Sequence, residues 1–265
     1  MKTVFIPLAI ILLIITIVAA HSEEFESTKP LTDTISQTAL NIMYIAIIII
    51  LISTLISIFY EKKLRKYKIY LFLAIAIPAI VATIALAAST IYLNSVAITK
   101  GPVHWHADFE IWNCGERIEI KDPGGFSNRI GSPTFHEHND NRIHVEGVLV
   151  NKKDASLGNF FRVLGGNIYD EGFEIPTNKG LISVENGNLC KGNPGKLQVF
   201  VYKTEKIKYF QEEIEHFDDY ILSPYGDVPP GDCIIVEFDS EIREKTNHIC
   251  ETYKIAQERG DIHSS

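Results

Sequence analysis

Val103-His104-Trp105-His106-Ala107-Asp108-Phe109-Glu110-Ile111-Trp112 alternates without a break. Val103, Trp105, Ala107, Phe109 and Ile111 fall on one face of an extended chain, and His104, His106, Asp108 and Glu110 fall on the other. A period of two marks a strand with one face in a core and one turned to polar surroundings. Asn113-Cys114-Gly115-Glu116 follows with the chemistry of a tight turn, which predicts a hairpin into residues 117–120.

Downstream, the same reasoning predicts strands at residues 143–150, 181–184, 197–202 and 233–238, with His144 and Glu146 on a common face. Asp154 or Ser156 can cap a short helix through Leu157, Phe160, Phe161 and Leu164, which Gly165-Gly166 would stop. Residues 223–232 are turn chemistry throughout, and Ile242, Ile249, Tyr253 and Ala256 repeat at helical spacing over residues 241–259. Residues 99–265 therefore read as a β-rich α+β domain closed by a C-terminal helix.

Upstream of residue 99 the composition changes. Of the first 98 residues 63 are hydrophobic, about 64%, against about 35% of the remaining 167, so the chain is not a single soluble domain. Residues 1–20 read as a signal peptide or signal anchor ending in Val18-Ala19-Ala20. Residues 39–60 and 69–93 carry no charge and are long enough to form a transmembrane hairpin, with Pro78 as a tolerated kink. Of the eight residues 61–68, five are basic, which assigns that loop to the cytoplasm and places the 21–38 linker and the 99–265 domain outside it. The expected location is the cell membrane, with the C-terminal domain extracytoplasmic.

The four cysteines, Cys114, Cys190, Cys233 and Cys250, all lie in that domain without a CxxC pair. Outside the cytoplasm they favour two disulfides, among three pairings that spacing does not separate. The domain carries 18 basic and 28 acidic residues, which argues against nucleic acid as a partner and suits cations.

Five of the nine histidines cluster as His104-Trp105-His106, His136-Glu137-His138 and His144-Val145-Glu146. On a strand, positions two apart share a face, so each His-x-His pair can offer two imidazoles to one ion. His104, His106, His136, His138, His144 and Glu146 are therefore the expected ligands of one metal site or of two adjacent sites. Imidazole with carboxylate suits Zn or Cu(II) first, and Mn or Fe next. Asp108, Glu110, Glu137 and Asp140 are the acids near enough in sequence to orient the rings. His136 and His138 are expected in a loop after Pro133 that folds over the strand face. Cleavage after Ala20 would add His21, whose amine and imidazole together chelate Cu(II). The domain has no methionine, which excludes a blue-copper site with an axial Met, and the chain lacks G-x-S-x-G, Walker A, GxGxxG and H-E-x-x-H.

These motifs carry a resemblance. Residues 104–116, the segment from His136 to Glu146, and Leu157-Gly158-Asn159-Phe160-Phe161 resemble a functionally unassigned family of His-rich extracytoplasmic domains. That family joins a His-rich strand and tight turn to His-x-His, Ile-His-x-Glu and Leu-Gly-x-Phe-Phe elements. The likeness covers about residues 104–166, with Asp108 where the pattern has a further His and a loop before His144 one residue shorter. It implies a grouping and no activity.

The functional expectation is a membrane-tethered protein that sequesters, delivers or senses a divalent metal ion. The alternatives are a metalloenzyme with an open His/Glu site and Glu137 or Glu146 as its base, or a structural subunit of a membrane complex. A membrane-protein partner or an oligomer fits any of the three; no substrate is identified.

Overall fold

The computed structural model describes residues 31–124, 128–222 and 231–264. The expected signal segment 1–20, His21 and most of the 223–232 loop lie outside the described residues.

Two long helices come first, Leu31–Phe59 and Lys68–Val96, joined by short turns at Glu61–Leu64 and Arg65–Tyr67. Both are long and apolar enough to cross a membrane. Their buried positions are mostly small, Ala39, Ala46 and Ser53 on the first and Ala82 on the second, while Ile45, Ile58, Phe72, Ile84 and Ile91 face outward. Small residues let two helices approach, and bulky apolar residues turned outward suit a lipid solvent. Residues 31–38, expected in the linker, are already helical: the Thr38 hydroxyl donates to the Thr34 carbonyl at 2.8 Å, as Ser and Thr do inside a helix.

Beyond the helices, the Ile98 amide donates to the Leu149 carbonyl at 2.9 Å and ties the chain to the β-rich domain. That domain begins with β1 (Val103–Asn113), β2 (Glu116–Ile118), β3 (Ile130–Gly131), β4 (Phe135–Glu137) and β5 (Arg142–Gly147). The helix Leu157–Val163 follows, then β6 (Asn167–Tyr169), β7 (Gly172–Thr177) and β8 (Gly180–Glu185). The last strands are β9 (Leu189–Cys190), β10 (Asn193–Pro194), β11 (Lys196–Glu205), β12 (Lys208–Ile214), β13 (Cys233–Asp239) and β14 (His263–Ser264), with the helix Glu251–Glu258 before β14.

The main sheet runs β14-β12-β11-β13-β1-β5-β4-β3, with β2 also on β1, and β6-β7-β8 form a second sheet. The expected β1–β2 hairpin is present, with Asn113 opposite Glu116. Its two turn residues, Cys114 at φ 53° and Gly115 at φ 81°, adopt the paired positive φ that such a two-residue turn requires.

The apolar face of β1 carries Ala107, Phe109 and Ile111 into a core with Phe135, Ile143, Val145, Phe160, Phe161, Phe173 and Val236. Ser156 caps the helix Leu157–Val163 by accepting from the Asn159 amide at 3.1 Å, while Asp154 completes a capping box on the preceding turn. On the opposite face of the main sheet, Tyr253 and Ala256 of the C-terminal helix pack on Phe200, Tyr202 and Ile235.

That helix is shorter than its sequence pattern. Residues 241–250 are irregular because the sheet's side chains take their amides: Gln198 accepts from Arg243 and Gln211 from Thr246, each at 3.0 Å. The four cysteines form two disulfides, Cys114–Cys190 and Cys233–Cys250.

Candidate metal centre

Strand register assembles the histidines. β1 and β5 run antiparallel with His104 opposite Glu146 and His106 opposite His144, while β5 and β4 pair with His136 opposite His144. His106, His144 and His136 thus form one row across three neighbouring strands, which lie about 4.8 Å apart. Alternation along each strand turns this row away from the core that holds Ala107, Ile143 and Phe135. The sequence expectation of a loop around His136 is corrected here. His136 belongs to β4, hydrogen-bonded beside β5, and lies in the sheet rather than over it.

The imidazoles fall into two groups, His104/His106/His144 and His136/His138/His144, each offering nitrogens within 4.8 Å of one another. His104 Nε2 and His106 Nε2 are 3.0 Å apart, and Glu146 Oε1 is 3.3 Å from His104 Nε2. Asp140 Oδ2 is 3.3 Å from His144 Nε2. Either group can hold a metal ion. All six expected ligands lie in this cluster.

His138 Nδ1 meets the backbone carbonyl of Asn128. A carbonyl oxygen only accepts, so the tautomer that satisfies this contact has its proton on Nδ1 and offers Nε2 to a ligand.

Burial grades across the cluster. His136 is 1% exposed, and its Nδ1 is buried without a hydrogen-bond partner among the described residues. Leaving such an atom unsatisfied costs on the order of 1–3 kcal/mol, and coordination to a cation would remove that cost. At the other end the His104 side chain is 63% exposed.

Burial also lowers the proton affinity of two rings. His106 is pushed down to about 4, first by desolvation and then by neighbouring His144, His104 and Arg142. His136 is lowered for the same leading reason. Both are neutral at neutral pH, the state in which imidazole binds metals.

Of the four acids expected to orient the rings, Asp140 reaches one. Asp108 lies in the adjacent row, where it is bound to its cross-strand partner Arg142 (Nε–Oδ1 2.7 Å) and to Thr252 of the C-terminal helix. Glu110 accepts from Trp112 Nε1 at 3.0 Å and pairs with Arg117. Glu137 alternates to the face opposite His136, where it accepts the amides of Asp140 and Asn141 at 2.6 and 3.0 Å; burial raises its pKa. A role for Glu137 as the base of this site is therefore excluded by the direction of its side chain. His216 pairs with Asp170 and His248 stacks on Trp112, both apart from the cluster.

The one residue that sequence reasoning undervalued is Asp140. Its signal was the Asn139-Asp140-Asn141 turn, whose two asparagines take positive φ of 64° and 56° and reverse the chain between β4 and β5. Comparisons with protein-family models, curated proteins and solved structures give no match to this chain.

Proposed function

We propose that this chain is a membrane-tethered metal-binding protein that holds a divalent transition metal, zinc or copper(II) by preference, on the extracytoplasmic side of a membrane. In this reading His104, His106, His136, His138, His144 and Glu146 supply the ligands, and the ion is sequestered, delivered or sensed. The observation that carries the reading is the pair of imidazole triads sharing His144, each with its ligand atoms within 4.8 Å. Nitrogen donors with a carboxylate, and no thioether in the domain, favour zinc or copper(II) over softer or harder ions. The absence of a nucleophile motif beside the cluster favours binding over catalysis.

Three features support the side of the membrane. The loop between the helices is basic, both disulfides lie in the β-rich domain, and residues 104–166 resemble His-rich extracytoplasmic domains. The acidic domain would also raise the local concentration of cations at its surface.

Elemental analysis of the purified full-length protein in detergent, after incubation with zinc or copper(II) and desalting, tests this reading. Bound metal is expected at neutral pH and in His216→Ala, and reduced in His106→Ala and His138→Ala. No retained metal, with a melting temperature indifferent to chelator and to added ion, would replace the site with a hydrogen-bonded polar network.

A further inference from the structure

The cluster is longer than one ion can use. Its nitrogens separate into two triads that meet at His144 instead of forming a single set of five. Glu146 stands beside His104 at one end, and Asp140 stands beside the shared His144. For an ion with four ligands about 2.1 Å away, tetrahedral geometry puts neighbouring ligand atoms ~3.4 Å apart. The observed 3.0 Å between His104 and His106 lies near that spacing, and each carboxylate stands 3.3 Å from one histidine of its set.

Resting on the metal-binding reading above, we propose that the cluster is a two-ion centre whose ions differ in kind. The inner ion takes His136, His138 and His144 with Asp140. The outer ion takes His104, His106 and Glu146 and keeps a fourth position open. His144 goes to the inner set because Asp140 contacts it. Three imidazoles and a carboxylate close a tetrahedral shell, as in structural sites, while three protein ligands and an open position characterise exchange and catalysis.

Exposure runs the same way: His136 is 1% exposed, against 63% for the side chain of His104 and 40% for that of Glu146. Glu146 also lines a cavity of about 410 Å³ between the β-rich domain and the ends of the two long helices. Its helix side presents Leu93 and four neutral hydrogen-bonding residues, Thr32, Ser36, Thr90 and Asn94, with no competing charge. An outer ion with one carboxylate keeps a net positive charge, so the ligand that fits is a small oxygen- or nitrogen-donor, neutral or anionic, entering beside Glu146.

Copper(II) titration of the full-length protein in detergent, with timed removal by a chelator and azide as the probe of an open position, tests the division. Two equivalents are expected, one removed at least tenfold faster than the other, with an azide charge-transfer band that tracks the fast equivalent. Glu146→Gln and His104→Ala should lose the fast equivalent and the band while keeping the slow one; Asp140→Asn and His136→Ala should weaken the slow one. Circular dichroism on each variant identifies any that fails to fold, and the paired variant at the same site then decides. A single equivalent weakened alike by changes at both ends would overturn the two-ion centre and leave the metal-binding reading standing. Two equivalents of equal lability, or an azide band that survives Glu146→Gln and His104→Ala, would overturn the inner and outer roles. No bound copper would overturn both.

Discussion

His106 sits between two other imidazoles and near Arg142, and its pKa falls from 6.5 to about 4. Between those values the unfolded chain binds more protons at this residue than the folded chain, so stability rises with pH across the window. The metal-free protein should therefore lose stability as pH drops from 6.5 toward 4, through His106 and in the same direction through His136. Urea melts over that range should show a smaller loss in His106→Ala; an equal loss in both would remove His106 from the account. Asp108 makes the complementary case. Its carboxylate is spent on Arg142 and Thr252, so Asp108→Ala leaves a half-buried guanidinium without its partner. Breaking a buried pair costs roughly 3–5 kcal/mol, at the low end here because Arg142 keeps some contact with water. Stability should fall while bound metal is retained, and metal loss in a folded Asp108→Ala would return Asp108 to the ligand field. In the sequence Asp108 and His106 look alike, two polar residues on one strand face. Their difference arises from what lies opposite on β5, Arg142 for one and His144 for the other, a pairing that no local pattern reveals.

Elements with a clean period were legible, and elements that depend on a distant neighbour were not. β1, its hairpin turn and the capped helix Leu157–Val163 follow from alternation, a turn tetrapeptide and Ser156. β4 is three residues long, too short to show alternation, and exists because β5 and β3 flank it. β7 carries a proline and three of the seven residues of β12 are charged, so neither showed a strand's pattern, although both are paired in sheets. The C-terminal helix lost its first ten residues, nearly three turns, where Gln198 and Gln211 accept the backbone amides of Arg243 and Thr246, again partners remote in sequence. At this scale the disulfides give a stability prediction. Cys114–Cys190 spans 76 residues and Cys233–Cys250 spans 17, so loop-closure entropy puts their removal at roughly 4 and roughly 3 kcal/mol. Denaturant melts of the two paired Cys→Ser variants should rank in that order; the reverse ranking would mean that packing around Cys233 and Cys250 outweighs chain entropy. Ser156→Ala should cost about 1 kcal/mol through the lost helix cap, measured in the same way.

Across the whole molecule, two helices long and apolar enough to cross a membrane precede an acidic, disulfide-bonded domain, a division already visible in the composition. What composition could not convey is that the domain rests on the helix ends, leaving the cavity beside Glu146 at their junction. Membrane-impermeant labelling of single cysteines placed at Lys62 and at Lys179 should mark the second in intact cells and the first after lysis; the opposite pattern would invert the orientation. Neither labelling nor stability, however, reports on the atoms proposed to hold an ion. X-ray absorption at the zinc edge of the zinc-loaded full-length protein does. The spectrum should show nitrogen and oxygen neighbours at about 2.0–2.1 Å with the multiple scattering of at least two imidazoles per ion. A shell of sulfur near 2.3 Å, or oxygen neighbours alone without imidazole scattering, would contradict histidine ligation by this cluster.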